Sequence, residues 1–283
     1  MRKLKFTKMQ GAGNDYIYIN GFMQDIQDRS KAALDFSNRN FGIGSDGLVF
    51  ILPSDIADFR MQMFNSDGSE AEMCGNATRC VGKYVYDNKL TQKKEITLET
   101  KAGIKHITLL DGDEYCRKVI VDMGEPILDP QLIPVTIDQQ SALDYPIDID
   151  EKTWRISCVS MGNPHAVIFT KNIDKLDLAT LGPKFEHHPI FPKKTNTEFV
   201  EVLDRNTINM RVWERGAGET LACGTGACAS AVAAVLNNLC DRKVKVHLLG
   251  GDLDIEWNEK NNHIYMTGEA VTVFDGEIYI NEK

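Results

Sequence analysis

The chain has 283 residues, 42% of them hydrophobic and 26% charged, a balance typical of a soluble globular protein with one or two compact domains. The formal net charge of −9, without a lysine- or arginine-rich run, argues against a nucleic acid or an anionic membrane as partner. There is no eighteen-residue apolar run and no apolar signal-peptide core, so we expect a cytoplasmic protein whose seven cysteines form no disulfide framework.

The chain repeats itself. Aligning each residue with the one 149 positions later pairs two short motifs with their own copies, Gly13-Asn14 with Gly162-Asn163 and Cys74-Gly75 with Cys223-Gly224 (162 − 13 and 223 − 74). A shared offset for both motifs indicates two structurally similar halves.

Most predicted elements are strands, because residues 48–52, 59–64, 208–213 and 252–257 are short, apolar or alternating, and bounded by Gly, Asn or Asp. One helix is predicted in each half. After Cys74 the apolar side chains from Ala77 to Val85 follow helical spacing, and residues 226–239 are rich in alanine and apolar on nearly every side. We therefore expect the second helix to be wholly buried, and each half to be a sheet wrapped round its helix.

Two other segments carry local signals. Residues 126–150 contain four prolines and no lasting period, which favours a connection between the halves over a core element. Residues 271–280 predict a hairpin around Asp275-Gly276.

Both repeated cysteines directly precede a predicted helix. The free N–H groups and the dipole of a helix start favour thiolate over thiol, so we expect the thiol pKa to move down toward neutrality. A single cysteine in this position is more often a buried packing residue. Two at the same repeat offset fit inversion of a carbon centre, which needs one group to remove a proton and an opposed group to deliver one.

Several motifs around these cysteines resemble the diaminopimelate epimerase family. They are residues 11–16, 64–70, 73–76, 161–165 and 214–226, and the similarity runs from Lys8 to Asp275-Gly276. The resemblance implies a mixed α/β (α+β) fold of two pseudosymmetric domains, each a curved, mainly antiparallel sheet round a central helix, with the active site in the cleft between them. It places the first domain at residues 1–123 plus 270–283 and the second at 124–269.

The same resemblance implies a homodimeric, pyridoxal-independent epimerase with no cofactor and no metal. It would interconvert LL- and meso-diaminopimelate in the biosynthesis of lysine and peptidoglycan precursors. Cys74 and Cys223 would be the catalytic thiols, and His165 and Glu214 would tune them.

The substrate-binding residues carried over by the resemblance fall into two groups. Those for the reacting centre are the helix starts Gly75, Asn76, Gly224 and Thr225 for its carboxylate, with Asn14 and Glu214 for its amine. Those for the distal centre are Asn65, Asn163, Asn196 and Arg215. A planar arginine fork suits a carboxylate, which fits the distal role of Arg215.

The chain departs from the family pattern at two positions. Gly47 stands where some members have an amine-contacting glutamine, and Phe274 where some have a tyrosine associated with dimer contact.

Three other functions remain open from the residues. A zinc or redox role for Cys74, Cys80, Cys223 and Cys228 is disfavoured by their spacing, since the chain has no C-x-x-C. A non-catalytic binding module would leave the paired thiols unexplained. A proline-racemase-like enzyme typically has a histidine in place of Asn76.

Overall fold

The computed structural model describes residues 1–110 and 116–280. The chain divides into two compact units, the first comprising Met1–Val121 and Gly268–Lys283 and the second Asp122–Thr267. Within the described residues, none of the helices has the length and apolarity needed to span a bilayer.

The elements up to residue 124 are β1 (Arg2–Gly11), β2 (Asn14–Asn20), α1 (Arg29–Ser37), β3 (Gly47–Leu52), β4 (Phe59–Asn65), β5 (Glu70–Ala71), α2 (Gly75–Asp87), β6 (Glu95–Thr100), β7 (Gly103–Leu110) and β8 (Lys118–Gly124). They are followed by β9 (Tyr145–Ile149), β10 (Lys152–Ser160), β11 (Pro164–Phe169), α3 (Leu178–Glu186), β12 (Asn196–Asp204), β13 (Thr207–Glu214), β14 (Gly218–Thr220), α4 (Gly224–Leu236), β15 (Lys243–Leu248), β16 (Gly251–Trp257), β17 (Ile264–Glu269) and β18 (Val271–Ile280).

The strands of each unit form a mainly antiparallel sheet. In the first unit β18 pairs with β1, and the sheet continues through β2, β3, β4, β6, β7 and β8, with β5 also on β4. In the second unit β9 pairs with β10, and the sheet continues through β11, β12, β13, β15 and β16, with β14 also on β13. The fold is therefore mixed α/β, as the resemblance implied.

Parallel pairs occur at equivalent places in both units. They are β2 with β3, β4 with β6, β11 with β12 and β13 with β15. Parallel neighbours need a crossover connection, and each of these connections contains one of the four α-helices found in residues 1–110 and 116–280.

The helices reproduce the repeat predicted from the sequence. Arg29 and Leu178 begin α1 and α3, and Gly75 and Gly224 begin α2 and α4, each pair 149 residues apart (178 − 29 and 224 − 75). The N-cap residues of α1 and α3, Asp28 and Asp177, also lie at this offset, and each accepts a hydrogen bond from a backbone N–H of the first turn.

Helices α1 and α3 were not predicted, since only one helix was expected in each half. Both pack on the opposite sheet face from α2 and α4, with Phe36 of α1 and Phe185 of α3 in the cores there. A helix on each face explains why β3 is buried along its whole length. Its continuous apolar run, residues 48–52, was the signal for the second helical layer.

The two central helices are both enclosed. In α4 every residue from Gly226 to Ala234 is buried, as expected, but the helix ends at Leu236 and residues 235–239 are partly or fully exposed, so the prediction of a wholly buried helix over 226–239 is confirmed only in part. Helix α2 is buried except for Asp87, so its polar side chains Arg79 and Lys83 also lie inside the protein. The amphipathic sequence pattern of α2 predicts a solvent-exposed polar face, and this face is buried in the structure.

Residues 126–150 are not only a connection. The last part of this segment forms β9, and Ile133, Val135 and Ala142 belong to the core of the second unit. Their contribution was missed because irregular backbone gives no sequence period by which to recognise buried positions.

The predicted hairpin at residues 271–280 is wrong, because β18 is one continuous strand antiparallel to β1. Gly276 lies opposite Phe6, and a Cβ at Gly276 would lie 2.4 Å from the Phe6 ring. Asp275 accepts a hydrogen bond from the hydroxyl of Thr7 on β1. The glycine therefore allows close approach of an aromatic ring and does not form a turn.

Candidate active site

Cys74 and Cys223 are the N-cap residues of α2 and α4, and both have extended backbone angles. The first helical hydrogen bonds run from Thr78 N–H to the Cys74 carbonyl and from Ala227 N–H to the Cys223 carbonyl, each 2.9 Å long. The N–H groups of the three intervening residues in each helix are therefore outside the helical ladder. Such groups can stabilise a carboxylate or a developing negative charge.

Three predicted residues meet around the first thiol: Asn14, Cys74 and Asn76, called here the Cys74 cluster. The side-chain oxygen of Asn14 accepts from Cys74 Sγ at 3.3 Å and from Asn76 Nδ2 at 3.4 Å. Asn14 Nδ2 donates to Asp46 Oδ2 at 2.8 Å, which fixes the orientation of the Asn14 amide. The fully buried Arg79 donates to Asn76 Oδ1 at 2.8 Å and orients that amide as well.

A tight turn brings Asn14 to this position. Asn14 is the first residue of β2 and pairs with Gly11 of β1, so Ala12 and Gly13 form a two-residue hairpin loop. Both have positive φ, 51° and 80°, as a type I′ turn requires, and glycine adopts such a conformation without strain. The glycine of the repeated Gly-Asn motif therefore serves to place the asparagine.

Tyr16 joins this site although the sequence analysis did not single it out. Burial, followed by the negative charges of Cys74 and Asp46, raises the pKa of the Tyr16 phenol well above its ordinary value. Tyr16 lies opposite Gly47, where an added Cβ would lie 2.8 Å from the Tyr16 ring and 2.1 Å from the Phe64 carbonyl oxygen. In this chain a side chain at position 47 would therefore collide with the Phe64 backbone and with the Tyr16 ring.

Asn65 makes contacts in its own turn. Its Nδ2 donates to Ser69 Oγ at 3.0 Å, and its backbone N–H donates to the Ser69 carbonyl at 2.8 Å. Asn65 lies opposite Gly47 across β3 and β4. The structure therefore places it near the Cys74 cluster by register, with a side chain hydrogen-bonded in the turn.

The second thiol lies in a group of polar residues that we call the Cys223 cluster: Asn163, His165, Glu198, Glu214, Cys223 and Thr225. His165 is fully buried and its Nδ1 lies 2.6 Å from Glu198 Oε1. His165 Nε2 lies 3.1 Å from Asn163 Oδ1, and Asn163 Nδ2 donates to Thr225 Oγ1 at 3.3 Å. Thr225 Oγ1 lies 3.5 Å from Cys223 Sγ, so side-chain contacts run from Glu198 to the thiol.

Glu214 lies on the other side of this thiol. It accepts hydrogen bonds from Thr220 and from Cys223, yet burial outweighs them and raises the pKa of the Glu214 carboxyl above its ordinary value. Burial, followed by the charges of Glu214 and Glu198, raises the pKa of the Cys223 thiol well above its ordinary value. For Cys223 the expected downward shift is therefore wrong, because desolvation and two carboxylates outweigh the backbone N–H of Gly226.

Only some of the residues predicted to bind the distal centre contact one another. The backbone N–H of Arg215 donates to Asn196 Oδ1 at 2.9 Å, and Asn196 Nδ2 donates to the Pro164 carbonyl at 2.9 Å, next to Asn163. The Arg215 side chain is exposed, with Nη1 donating to the Lys193 carbonyl at 3.1 Å. Its guanidinium is accessible to a ligand.

Glu198, like Tyr16, is a site residue that the sequence analysis did not single out. The signal was a charged residue within the otherwise uncharged and buried residues 196–200, where a solvated side chain is not expected. Among the described residues, His165, Glu198 and Cys223 also form a group of three potential metal ligands, with donor atoms within 4.8 Å of one another. This group contains one cysteine, unlike the paired-cysteine zinc site considered from the sequence.

Comparison with known proteins adds three findings. A family model described as diaminopimelate epimerase matches residues 6–128 and 157–273. The diaminopimelate epimerase of Acetivibrio thermocellus is 62% identical over 279 residues, covering 99% of this chain and 100% of its own length. That of Desulfovibrio desulfuricans is 60% identical over 284 residues, covering 98% and 99%.

Among solved structures, a PhzF-family phenazine biosynthesis protein from Bacillus anthracis matches with a TM-score of 0.70, covering 99% of this chain and 100% of its own. The two sequences are 18% identical, so this likeness concerns the fold alone.

Proposed function

The chain is an isomerase of the diaminopimelate epimerase family, and we propose that it interconverts LL-2,6-diaminopimelate and meso-diaminopimelate with Cys74 and Cys223 as two acid/base groups. The observation that carries this proposal is the pair of repeat-related thiols, each at the N-cap of a buried helix. The product would serve lysine and peptidoglycan precursor synthesis.

In the proposed reaction one cysteine begins as thiolate and the other as thiol. The thiolate removes the α-proton from one face of the substrate carbon, and the thiol gives its proton to the opposite face of the resulting carbanion. The first sulfur ends as thiol and the second as thiolate, so protons and charge balance. The mechanism requires the two thiols to act on opposite faces of one α-carbon.

The same helix starts would stabilise the carbanion. Its charge is delocalised into the adjacent carboxylate, which the free N–H groups at Gly75, Asn76, Gly224 and Thr225 suit. We propose that this stabilisation replaces a pyridoxal group. Asn14 and Glu214 would hold the reacting amine, and their contacts with Cys74 and Cys223 support that role.

The distal amino-acid end would be held by Arg215, with Asn65, Asn163 and Asn196. The accessible guanidinium of Arg215 supports this role because it can bind a carboxylate through two parallel hydrogen bonds. Recognition of this second end would separate diaminopimelate from one-ended substrates such as proline.

Incubation of the enzyme with LL-diaminopimelate in deuterated water tests the proposal. Meso product should form, with deuterium at the inverted α-carbon, by NMR and mass spectrometry. Proline and alanine, incubated in parallel, should show no exchange. Exchange of proline at a comparable rate, or no exchange with diaminopimelate, would contradict the proposal.

We further propose a cytoplasmic homodimer. Strand β18 supports self-association because it exposes large apolar side chains, namely Val271, Val273, Phe274 and Tyr279. Phe274 packs its ring edge-on against Phe6 with centroids 5.9 Å apart and is still 46% exposed. Sedimentation of wild type and Val273→Glu would test it: the wild type should sediment as a dimer and the variant as a monomer.

A further inference from the structure

Glu198 is a buried carboxylate whose two oxygens differ in their hydrogen bonding. It is fully buried on β12, and one oxygen, Oε1, meets His165. Among the described residues its second oxygen, Oε2, has no hydrogen-bond partner. Burying an incompletely bonded carboxylate is unfavourable, so its presence calls for a compensating role.

Helix α4 is shaped to admit this carboxylate. A Cβ added at Gly226 would lie 2.6 Å from Glu198 Oε1 and 3.3 Å from Cys223 Sγ. Glycine within a helix is less favourable than alanine because it loses more backbone freedom on folding. Gly226 is thus a second residue, after Glu198, that is unfavourable for stability by itself, and it lies where the glutamate side chain fits.

The first unit has apolar residues at the positions equivalent to Glu198 and Gly226. At the shared offset, Val49 corresponds to Glu198 and Ala77 corresponds to Gly226 (198 − 49 and 226 − 77). Both Val49 and Ala77 are fully buried. The strand and helix therefore form with apolar residues, and the glutamate with its glycine is a feature of the Cys223 site alone.

The geometry shows what Glu198 does to His165. Both ring nitrogens face oxygen atoms that accept hydrogen bonds, Nδ1 facing Glu198 and Nε2 facing Asn163 in its present amide orientation. In that orientation the amide nitrogen of Asn163 donates to the Thr225 hydroxyl, which can itself donate or accept. At 2.6 Å the Glu198 carboxylate is placed to accept from the Nδ1–H of His165, and this contact fixes the orientation of the ring.

We propose that Glu198 is a positioning residue of the Cys223 site. It accepts from Nδ1 of His165 and so fixes the ring, and through Asn163 and Thr225 it fixes the surroundings of the thiol. The other titratable groups facing the pair are Cys158 from β10, Glu214 from β13 and Cys223 itself. The catalytic part of this inference rests on the proposed epimerase function.

The activity test is a double-mutant cycle of Glu198→Gln, His165→Asn and the double variant. Gln keeps the size of the side chain but not its charge, so kcat should fall roughly tenfold or more while KM stays within a factor of about two. The double variant should be no slower than His165→Asn, because Glu198 acts through His165. Glu201→Gln is the matched control on the same strand: Glu201 is half-buried and accepts from the Asn172 N–H, and its variant should retain wild-type rates.

The second test is independent of turnover. In the substrate-free enzyme with ¹⁵N-labelled histidine, Nδ1 of His165 should carry a proton whose resonance is shifted downfield by its short hydrogen bond to Glu198, and in Glu198→Gln this resonance should move upfield. If Glu198→Gln does not fold, Glu198→Asp replaces it: the shorter carboxylate should lower kcat, again without effect in the His165→Asn background. Wild-type kcat in the variant, additive losses, or a wild-type His165 without a hydrogen-bonded proton on Nδ1 would each overturn the inference. Absence of any diaminopimelate turnover in the wild type would overturn the proposed function instead, leaving the NMR result to decide on the pair.

Discussion

Removing His165 alone should destabilise the second unit more than removing His165 and Glu198 together. His165 and Glu198 are both fully buried, and their bonded atoms lie 2.6 Å apart. His165→Leu leaves the carboxylate buried without a donor while changing the side-chain volume little. His165→Leu combined with Glu198→Met replaces both polar groups by apolar ones, and the flexible methionine can follow the path of the glutamate.

The expected magnitude follows from the burial of the pair. Loss of the His165 donor leaves a buried acceptor unsatisfied, which costs about 1–3 kcal/mol, whereas replacement of both partners by apolar residues of similar shape is often nearly neutral. For a domain of this size each kcal/mol corresponds to roughly 2–4 °C in Tm, so His165→Leu should lower Tm by roughly 2–12 °C. The double variant should recover most of that loss.

Calorimetry at pH 7 is the appropriate assay, because it can resolve separate transitions of the two units. Val167→Leu on β11 is a control for altered packing beside the pair. A loss below about 1 kcal/mol in His165→Leu, or a double variant less stable than the single one, would refute the reasoning that the pair is a coupled buried unit.

Three further predictions concern the proposed reaction. Cys74→Ala and Cys223→Ala should each abolish epimerisation in a coupled assay while retaining the wild-type circular dichroism spectrum; substantial turnover in either would exclude two-base catalysis. Glu214→Gln should match wild-type stability at pH 4 and exceed it at pH 8. Burial raises the pKa of this carboxyl above its ordinary 4.5, so the stability contributed by the protonated form is lost as the pH rises through the raised value; equal denaturation curves at both pH values would argue against burial of the Glu214 carboxyl. The same variant should shift alkylation of Cys223 by iodoacetamide to lower pH, since Glu214 helps to raise the pKa of that thiol. Arg215→Met should raise KM for diaminopimelate and lower kcat/KM at least tenfold by steady-state kinetics, because a distal carboxylate loses its bidentate partner; normal kinetics would remove Arg215 from the site.

The elements that the sequence predicted well are those with a strong local signal. The offset between the two Cys-Gly motifs anticipated the first residues of α2 and α4, because both helices start at the same place in a repeated fold. The segments predicted as strands correspond to β3, β4, β13 and β16, where short apolar or alternating runs end at turn residues. Local period and repeated motifs are properties of the chain itself and do not depend on distant contacts.

Elements whose signal depends on distant partners were missed or misread. Helix α1 buries Ala32, Ala33 and Phe36 against a sheet face that the sequence did not show to be covered. Asp275-Gly276 has the composition of a turn, but its neighbours Thr7 and Phe6 come from the other end of the chain. A local pattern cannot distinguish a glycine that turns the chain from one that admits a distant ring.

At the site, the sequence by itself singled out the residues that we propose carry the chemistry: two thiols at equivalent helix starts, with the asparagines, Glu214 and Arg215. Tertiary structure decided how the two thiols differ. Glu198 meets His165 and the thiol only because β11, β12 and α4 converge, and Gly226 leaves room for it only in that arrangement. Burial and the two nearby carboxylates then reverse the shift in pKa expected for Cys223. Desolvation and electrostatic interaction depend on distances in space, and these are set by packing between segments far apart in the chain.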